Sequence, residues 1–260
     1  MNQTAAIILA AGKGTRMNSP DSQNKVASDL AGHPMIWYTL QNLNQAGIRN
    51  IYVVVGYAKS SVHQALGDSA IYIEQPEQLG TGHAVNIALP HIPSTSNPIL
   101  SLYGDDSAFY PPELITKLIV EHKQHQAAIS LLTINVTDPT GLGRIIRQHD
   151  QVIDIVEEKN ATPKERQIKE INTGLYCFDA HFLRTHVDQI QRNPLSQEFY
   201  LTDLIPIAYK TQQPIYALKW PDNQVWFGVN TPPQLTEARK RMQVKSSTSP
   251  ASTLQEPPLS

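Results

Sequence analysis

Along the first hundred positions apolar residues fall in short continuous runs. Each run is closed by glycine, proline or polar residues and followed by a stretch with one apolar side. Ala5–Ala11 reads as a buried strand, and Pro34–Ala46 as a helix with Ile36, Leu40 and Leu43 on one face, stopping at Gly47. Asn50–Val55, β-branched and bounded by Gly56, is a second buried strand. A short helix over 59–66, a strand over Ala70–Glu74 and a helix from Thr81 to Leu89 come next. Pro98–Tyr103 is the fourth strand, and Pro111–Gln124 a helix with Leu114, Leu118 and Ile119 inward. Strands apolar on both sides, alternating with helices, predict a parallel sheet covered on both faces.

The pattern then changes. Ile129–Val136 is a long strand, and Arg144–Arg147 and Val152–Val156 flank a turn at His149-Asp150 as a hairpin. Glu170–Phe178 adds a strand, 180–190 and 201–210 add helices, and Pro214–Trp220 another strand. Pro232 and Pro233 open a last helix, whose first turn tolerates proline. Ser/Pro-rich sequence without aromatics predicts a disordered tail over 244–260, after one domain over 1–243. The expected fold is α/β, with a mixed, mostly parallel sheet, helices on both faces and a smaller β-rich part.

A hydrophobic content of 40% is enough for one large core. Lys plus Arg (21) nearly balance Asp plus Glu (23), and the net charge of −2 gives no sign of a nucleic-acid or membrane surface. No apolar stretch approaches the roughly 20 residues of a bilayer span. The first strand leaves no room for a signal peptide, so the cytoplasm is the expected compartment. Cys177, within Leu175–Phe178, reads as a buried, inert thiol. His122 and His125, one turn apart beside Glu121 and Lys123, read as a solvent-facing pair rather than a zinc site, and His83 as packed in its helix.

Candidate chemistry begins at Gly12-Lys-Gly-Thr-Arg16, directly after the first strand, where an open α/β sheet forms its ligand crevice. The dinucleotide fingerprint needs Gly or Ala where Met17 stands, and no stretch has P-loop spacing. Two readings remain: an anion nest flanked by Lys13 and Arg16, or a tight turn with solvent-facing charges.

Residues 9–17, Leu-Ala-Ala-Gly-Lys-Gly-Thr-Arg-Met, resemble the signature of the sugar-nucleotide pyrophosphorylases. Lys25 matches that family's second basic residue. Gln75-Pro-Glu-Gln-Leu-Gly-Thr-Gly-His-Ala84 resembles the base-recognition segment of its N-acetylglucosamine-1-phosphate uridylyltransferase branch, and Tyr103-Gly-Asp105 its metal-binding Asp. Pro139–Ile145, Val156–Thr162 and Glu170–Gly174 are similar to its acceptor-sugar segments, and Tyr200–Asp203 and Gly228–Asn230 complete a colinear series. The resemblance implies a Rossmann-like nucleotide-diphospho-sugar transferase fold, like the N-terminal half of a bacterial bifunctional enzyme.

It also implies roles. Leu9, Ala10, Ala11, Gly12, Gly14, Thr15, Arg16, Gln75, Gln78, Gly80 and Thr81 would bind the nucleotide. Tyr103, Gly104, Gly143, Glu157, Asn172 and Thr173 would bind the sugar, and Asp105 and Asn230 Mg²⁺, with Arg16, Lys25 and Asp105 catalytic. Gln75 has a donor and an acceptor for a uracil edge, Gly80 lets backbone approach the base, and Thr81 is placed to cap a helix. Two protein oxygens completed by phosphate and water suit Mg²⁺. The substrates implied are UTP and N-acetylglucosamine 1-phosphate. Another sugar 1-phosphate is the alternative, and a non-catalytic nucleotide-sugar binder a third, which loss of Arg16, Lys25, Asp105 or Asn230 would have marked.

Four departures stand out. The chain lacks the family's β-helical acetyltransferase repeats, so acetyl transfer and the trimerisation that comes with it are not expected. Gln23-Asn24 replaces Leu-Pro before Lys25, predicting a longer, looser lysine loop. Asp106-Ser107-Ala108 replaces Val-Pro-Leu, putting a second carboxylate beside the metal ligand. Phe227 stands where Glu is usual.

Overall fold

The computed structural model describes residues 3–17 and 20–248. Chain order begins with β1 (Ala5–Ala10), the short ribbon strands β2 (Asp29–Leu30) and β3 (His33–Pro34), α1 (Met35–Gln45), β4 (Asn50–Val55) and α2 (Lys59–Leu66). It continues with β5 (Ile71–Glu74), α3 (Thr81–Ala88), β6 (Ile99–Tyr103), α4 (Pro112–Gln124) and β7 (Ile129–Asn135). The hairpin β8 (Arg144–Gln148) and β9 (Gln151–Val156), then β10 (Glu170–Phe178), α5 (Ala180–His186), α6 (Leu204–Lys210), β11 (Ile215–Trp220) and α7 (Pro232–Thr248) complete it.

The main sheet runs β11-β7-β10-β6-β1-β4-β5. β1 is parallel to both β4 and β6, so successive βα units step away from it in opposite directions. That reversal makes the crevice beyond the carboxyl ends of β1 and β6 the ligand position of this architecture. β10 enters antiparallel between β6 and β7, and its register shifts between Asn172 and Tyr176. The hairpin β8–β9 branches from β10 beside this shift. The sheet is mixed and mostly parallel, as expected.

Strand alternation explains why the runs are apolar throughout. Ile7 and Leu9 face a cluster with Val85, Leu183 and Leu204 from α3, α5 and α6. Ile8 and Ala10 face another with Leu40, Val62 and Leu118 from α1, α2 and α4. A third cluster packs Met17, Leu30, Met35 and Phe109 against Val229, Ala238 and Met242, fastening α7 beside the crevice.

Two expectations are corrected. His122 is buried, not solvent-facing: it continues the Ile115–Leu118–Ile119 stripe of α4 and its Nδ1 is 2.9 Å from Ser130 Oγ. Burial pushes its imidazole down to about 4, so it packs neutral, while His125 stays outside, stacked on Tyr216. The helix α7 runs to Thr248, past the expected start of the tail at 244, and residues 249–260 lie outside the described residues. Cys177 is buried as expected, and burial pushes its thiol up. No helix among the described residues is long and apolar enough to cross a membrane.

Asp203 carries a pH prediction. Burial and the nearby Asp154 raise its carboxyl from 3.8 to about 6. The folded state therefore prefers the neutral acid, so this contribution is complete below pH 4 and is lost as pH rises through 6. Removing the charge with Asp203→Asn is expected to stabilise the fold by about 1 kcal/mol at pH 8, after allowance for partial solvent screening, and by nothing near pH 4. Urea unfolding at the two pH values measures this; equal effects at both would contradict it.

Candidate active site

A cavity of about 240 Å³ opens at the carboxyl ends of β1 and β6. Leu9, Ala10, Ala11, Gly12 and Gly14 form one wall and Gln75, Gln78, Gly80 and Thr81 the opposite one, with Lys25, Tyr103 and Asp105 at the end. Sequence reasoning gave no site role to five further lining residues: Asn24, Val26, Ala84, Glu198 and Tyr200.

The glycine wall leaves space for a ligand. A side chain at Gly12 would meet nothing within 4 Å. Gly14 has φ +59°, and a Cβ there would stand 2.9 Å from Lys25 Cβ, so glycine is what lets the lysine approach. Lys13 turns away, its ammonium 5.4 Å from the centre of the Tyr57 ring. Thr15 and Arg16 are exposed at the rim, and Arg16 Nη2 donates to Asn230 Oδ1 at 3.0 Å.

The loop before Lys25 is pinned rather than loose at Asn24. That buried amide donates to the carbonyls of Ala10, Gly12 and Tyr57, at 2.9, 3.3 and 2.8 Å. Its oxygen accepts from Val26 N–H, and its own N–H donates to Ser61 Oγ. A short polar side chain does here by hydrogen bonding what proline does by fixing φ.

Lys25 in turn gathers the expected metal ligands. Its ammonium pairs with Asp105 Oδ2 and donates to Asn230 Oδ1 at 3.1 Å. Asn230 is carried there by backbone: Val229 N–H donates to Asp105 O at 3.1 Å. Thr231 and Gln234 form a capping box at the start of α7, with Gln234 N–H donating to Thr231 Oγ1 and Asn230 N–H to Gln234 Oε1. Residues 125 positions apart thus present a carboxylate and an amide oxygen to one cationic point.

That donor set fits a hard divalent ion. Among the described residues no group of three or more His, Cys, Asp or Glu could hold a metal. A two-oxygen site leaves the other positions to phosphate and water, the manner of Mg²⁺ rather than zinc. Asp106 does not add a ligand. It is buried, Oδ1 has no partner among the described residues, and burial and Asp105 push its carboxyl well up. Phe227, also turned inward, packs edge-on against Phe109 and under the Arg241 guanidinium.

Beyond Tyr103 lies a second group. Asn172 N–H donates to Gly143 O at 2.9 Å, and a Cβ on Gly143 would come within 3.3 Å of Glu157 Oε1, so these three residues are adjacent. The Tyr103 ring packs against Gly174, whose φ of +81° and contact with the Cδ2–Cε2 edge leave no room for a side chain. The Glu157 carboxylate has no hydrogen-bond partner among the described residues, and burial raises its pKa. Its neighbour Glu158 is structural, pairing with the buried Arg144 guanidinium. Lys159 donates to Tyr200 Oη at 2.8 Å and closes this side.

Three expected contacts differ. Thr173 follows Asn172 in the strand and points to the other face, where its buried hydroxyl donates to Leu132 O at 3.0 Å, so its side chain does not reach a sugar. Gly104 is a packing position: a Cβ would press on Val26, Ile8 and Ile36. Thr81 does not cap α3; its hydroxyl accepts from Leu201 N–H at 3.0 Å, fastening the Tyr200–Asp203 segment to the helix.

Comparison with known proteins bears on family and fold. The family model described as "Nucleotidyl transferase" matches residues 5–245. The bifunctional protein GlmU of Heliobacterium modesticaldum is 40% identical over 244 residues, covering 94% of this chain and 53% of that protein. GlmU of Staphylococcus epidermidis is 36% identical over 242 residues, covering 93% and 53%. The chain thus spans about half the length of the curated relatives it matches, in line with the half-length resemblance expected from its motifs. A crystal structure of a putative glucose-1-phosphate thymidylyltransferase from Bacillus anthracis, in complex with a sucrose, superposes with a TM-score of 0.76 at 22% identity. It covers 91% of this chain and 94% of that one, and so supports the fold. A family match over residues 5–245, together with 40% identity over 94% of the chain, shows that this chain belongs to the nucleotidyl transferase family.

Proposed function

We propose that the chain joins UTP and N-acetylglucosamine 1-phosphate, giving UDP-N-acetylglucosamine and pyrophosphate. The observation that carries this is the convergence of Arg16, Lys25, Asp105 and Asn230 at the mouth of a cavity whose far wall is Gln75, Gln78 and Gly80. Support for the sugar comes from Gly143, Glu157 and Asn172 standing together beyond Tyr103, and from the GlmU relatives.

The attacking group is a phosphate monoester oxygen, already anionic, so no general base is required; alignment and charge neutralisation carry the rate. The loop amides of Gly12 to Thr15 and the Arg16 guanidinium would hold the β- and γ-phosphates and the departing pyrophosphate. Lys25 would sit between the two reacting anions. Glu157 and the amide hydrogens of Asn172 would take sugar hydroxyl and N-acetyl groups, since Asn172 Oδ1 already accepts from Gly174 N–H at 3.1 Å. Asp105 and Asn230 would hold Mg²⁺, which when bound supplies Lewis acidity and neutralises phosphate charge.

Pyrophosphate release across the four nucleoside triphosphates and several sugar 1-phosphates tests the reading. Activity confined to UTP with N-acetylglucosamine 1-phosphate is expected. UTP with another sugar would overturn the acceptor assignment, and another nucleotide the base assignment. Glu157→Gln is expected to raise KM for the sugar phosphate about 10- to 100-fold, with KM for UTP within about twofold. Equal changes in both constants would remove Glu157 from the sugar site.

A further inference from the structure

Gln75 is buried but lines the nucleotide cavity, and its terminal amide has one orientation available. Its Nε2 lies 3.2 Å from Gly80 O and 2.9 Å from His83 Nδ1. A backbone carbonyl only accepts, so the group facing Gly80 is the NH₂. Its second hydrogen then points at His83 Nδ1, which must offer a lone pair. In this arrangement the ring hydrogen sits on Nε2. Gln75 Oε1 has no partner among the described residues, yet is not among their buried unsatisfied atoms, so it is open on the cavity side.

We propose that His83 is a positioning residue that selects the nucleobase, by holding the Gln75 amide so that its oxygen and not its nitrogen faces the base. An acceptor presented there pairs with the N3–H of uracil. Cytosine carries a lone pair at N3, so the same oxygen would meet it acceptor to acceptor, a repulsive element against the wrong ligand. Thymine shares the N3–H, and its methyl group lies outside this contact. With His83 gone, only the longer bond to Gly80 O opposes a flip of the amide, and the flipped amide would offer its NH₂ to cytosine N3. This inference rests on the proposed UTP reading and deepens it.

The test compares kcat/KM for UTP and CTP at saturating N-acetylglucosamine 1-phosphate, in wild type, His83→Leu, His83→Phe and His83→Asn. Leu and Phe remove the acceptor, whereas the Asn oxygen can occupy the place of Nδ1. His83→Leu is expected to raise KM for UTP about tenfold with kcat nearly unchanged, and to cut the UTP-to-CTP preference at least about tenfold. His83→Phe should match it, and His83→Asn should restore most of the preference. A merely structural role would lower both nucleotides equally and leave the ratio intact. A wild-type chain that prefers UTP, with folded Leu or Phe variants that keep the full preference, would overturn the role of His83 alone. A wild-type chain indifferent between UTP and CTP would overturn the UTP reading and this inference with it.

Discussion

Asp105→Ala is expected to lower turnover at least about a hundredfold while the chain remains folded. Asp105 stands two residues beyond the end of β6, at the crevice, with a side chain only 20% exposed, and its carboxylate pairs with Lys25. It is also the one charged oxygen at the point where Asn230 Oδ1 converges. Removing it takes away both an anchor for the lysine and the stronger of the two proposed ligands for a divalent ion. Loss of one preorganised electrostatic contact at a reacting centre typically costs about 10²–10³ in rate. The fold should survive, because Lys25 keeps its bond to Asn230 and the loop keeps the Asn24 hydrogen bonds. Turnover measured beside thermal unfolding checks this; near-normal turnover in a folded variant would contradict the assignment.

Lys25→Ala is expected to cost a similar factor in kcat, with an opposite effect on metal binding. In the free chain the ammonium occupies the point on which both oxygens converge. A divalent cation entering there must displace it. Without the lysine, the apparent affinity for Mg²⁺ should rise about threefold or more even as turnover falls, because two oxygens lose a competing cation. Titration of Mg²⁺ against turnover separates the two effects. A weaker Mg²⁺ requirement together with low kcat is the expected result; unchanged or poorer Mg²⁺ affinity would mean that lysine and metal occupy different places.

Much of this was legible in the chain. The strands of the first half announced themselves because both faces of a parallel sheet are covered, so Ile7 and Ile8 are equally apolar though they face different clusters. The insertion of β10 antiparallel between β6 and β7 was not legible, since an apolar run carries no direction. His122 could have been placed: it falls three residues after Ile119 and four after Leu118, on the buried stripe, and was misread because its neighbours are charged. Thr173 was likewise open to strand alternation. The capping box at Thr231 and Gln234 was visible by spacing and explains why Asn230 points at the crevice. Asn24 was not legible in advance: its role depends on carbonyls from two separate segments, at Ala10–Gly12 and at Tyr57, that only the fold brings together. The same is true of Asp106, whose inward turn sets it apart from Asp105 next to it.

The central claim is that this cavity joins a nucleotide to a sugar phosphate with assistance from a divalent ion. Its most direct test is the release of pyrophosphate from UTP by the purified chain with N-acetylglucosamine 1-phosphate and Mg²⁺. Release is predicted to match UDP-sugar formation one for one, and to stop when either substrate is left out or the Mg²⁺ is chelated. No release from a folded chain that still binds UDP-N-acetylglucosamine would contradict the claim.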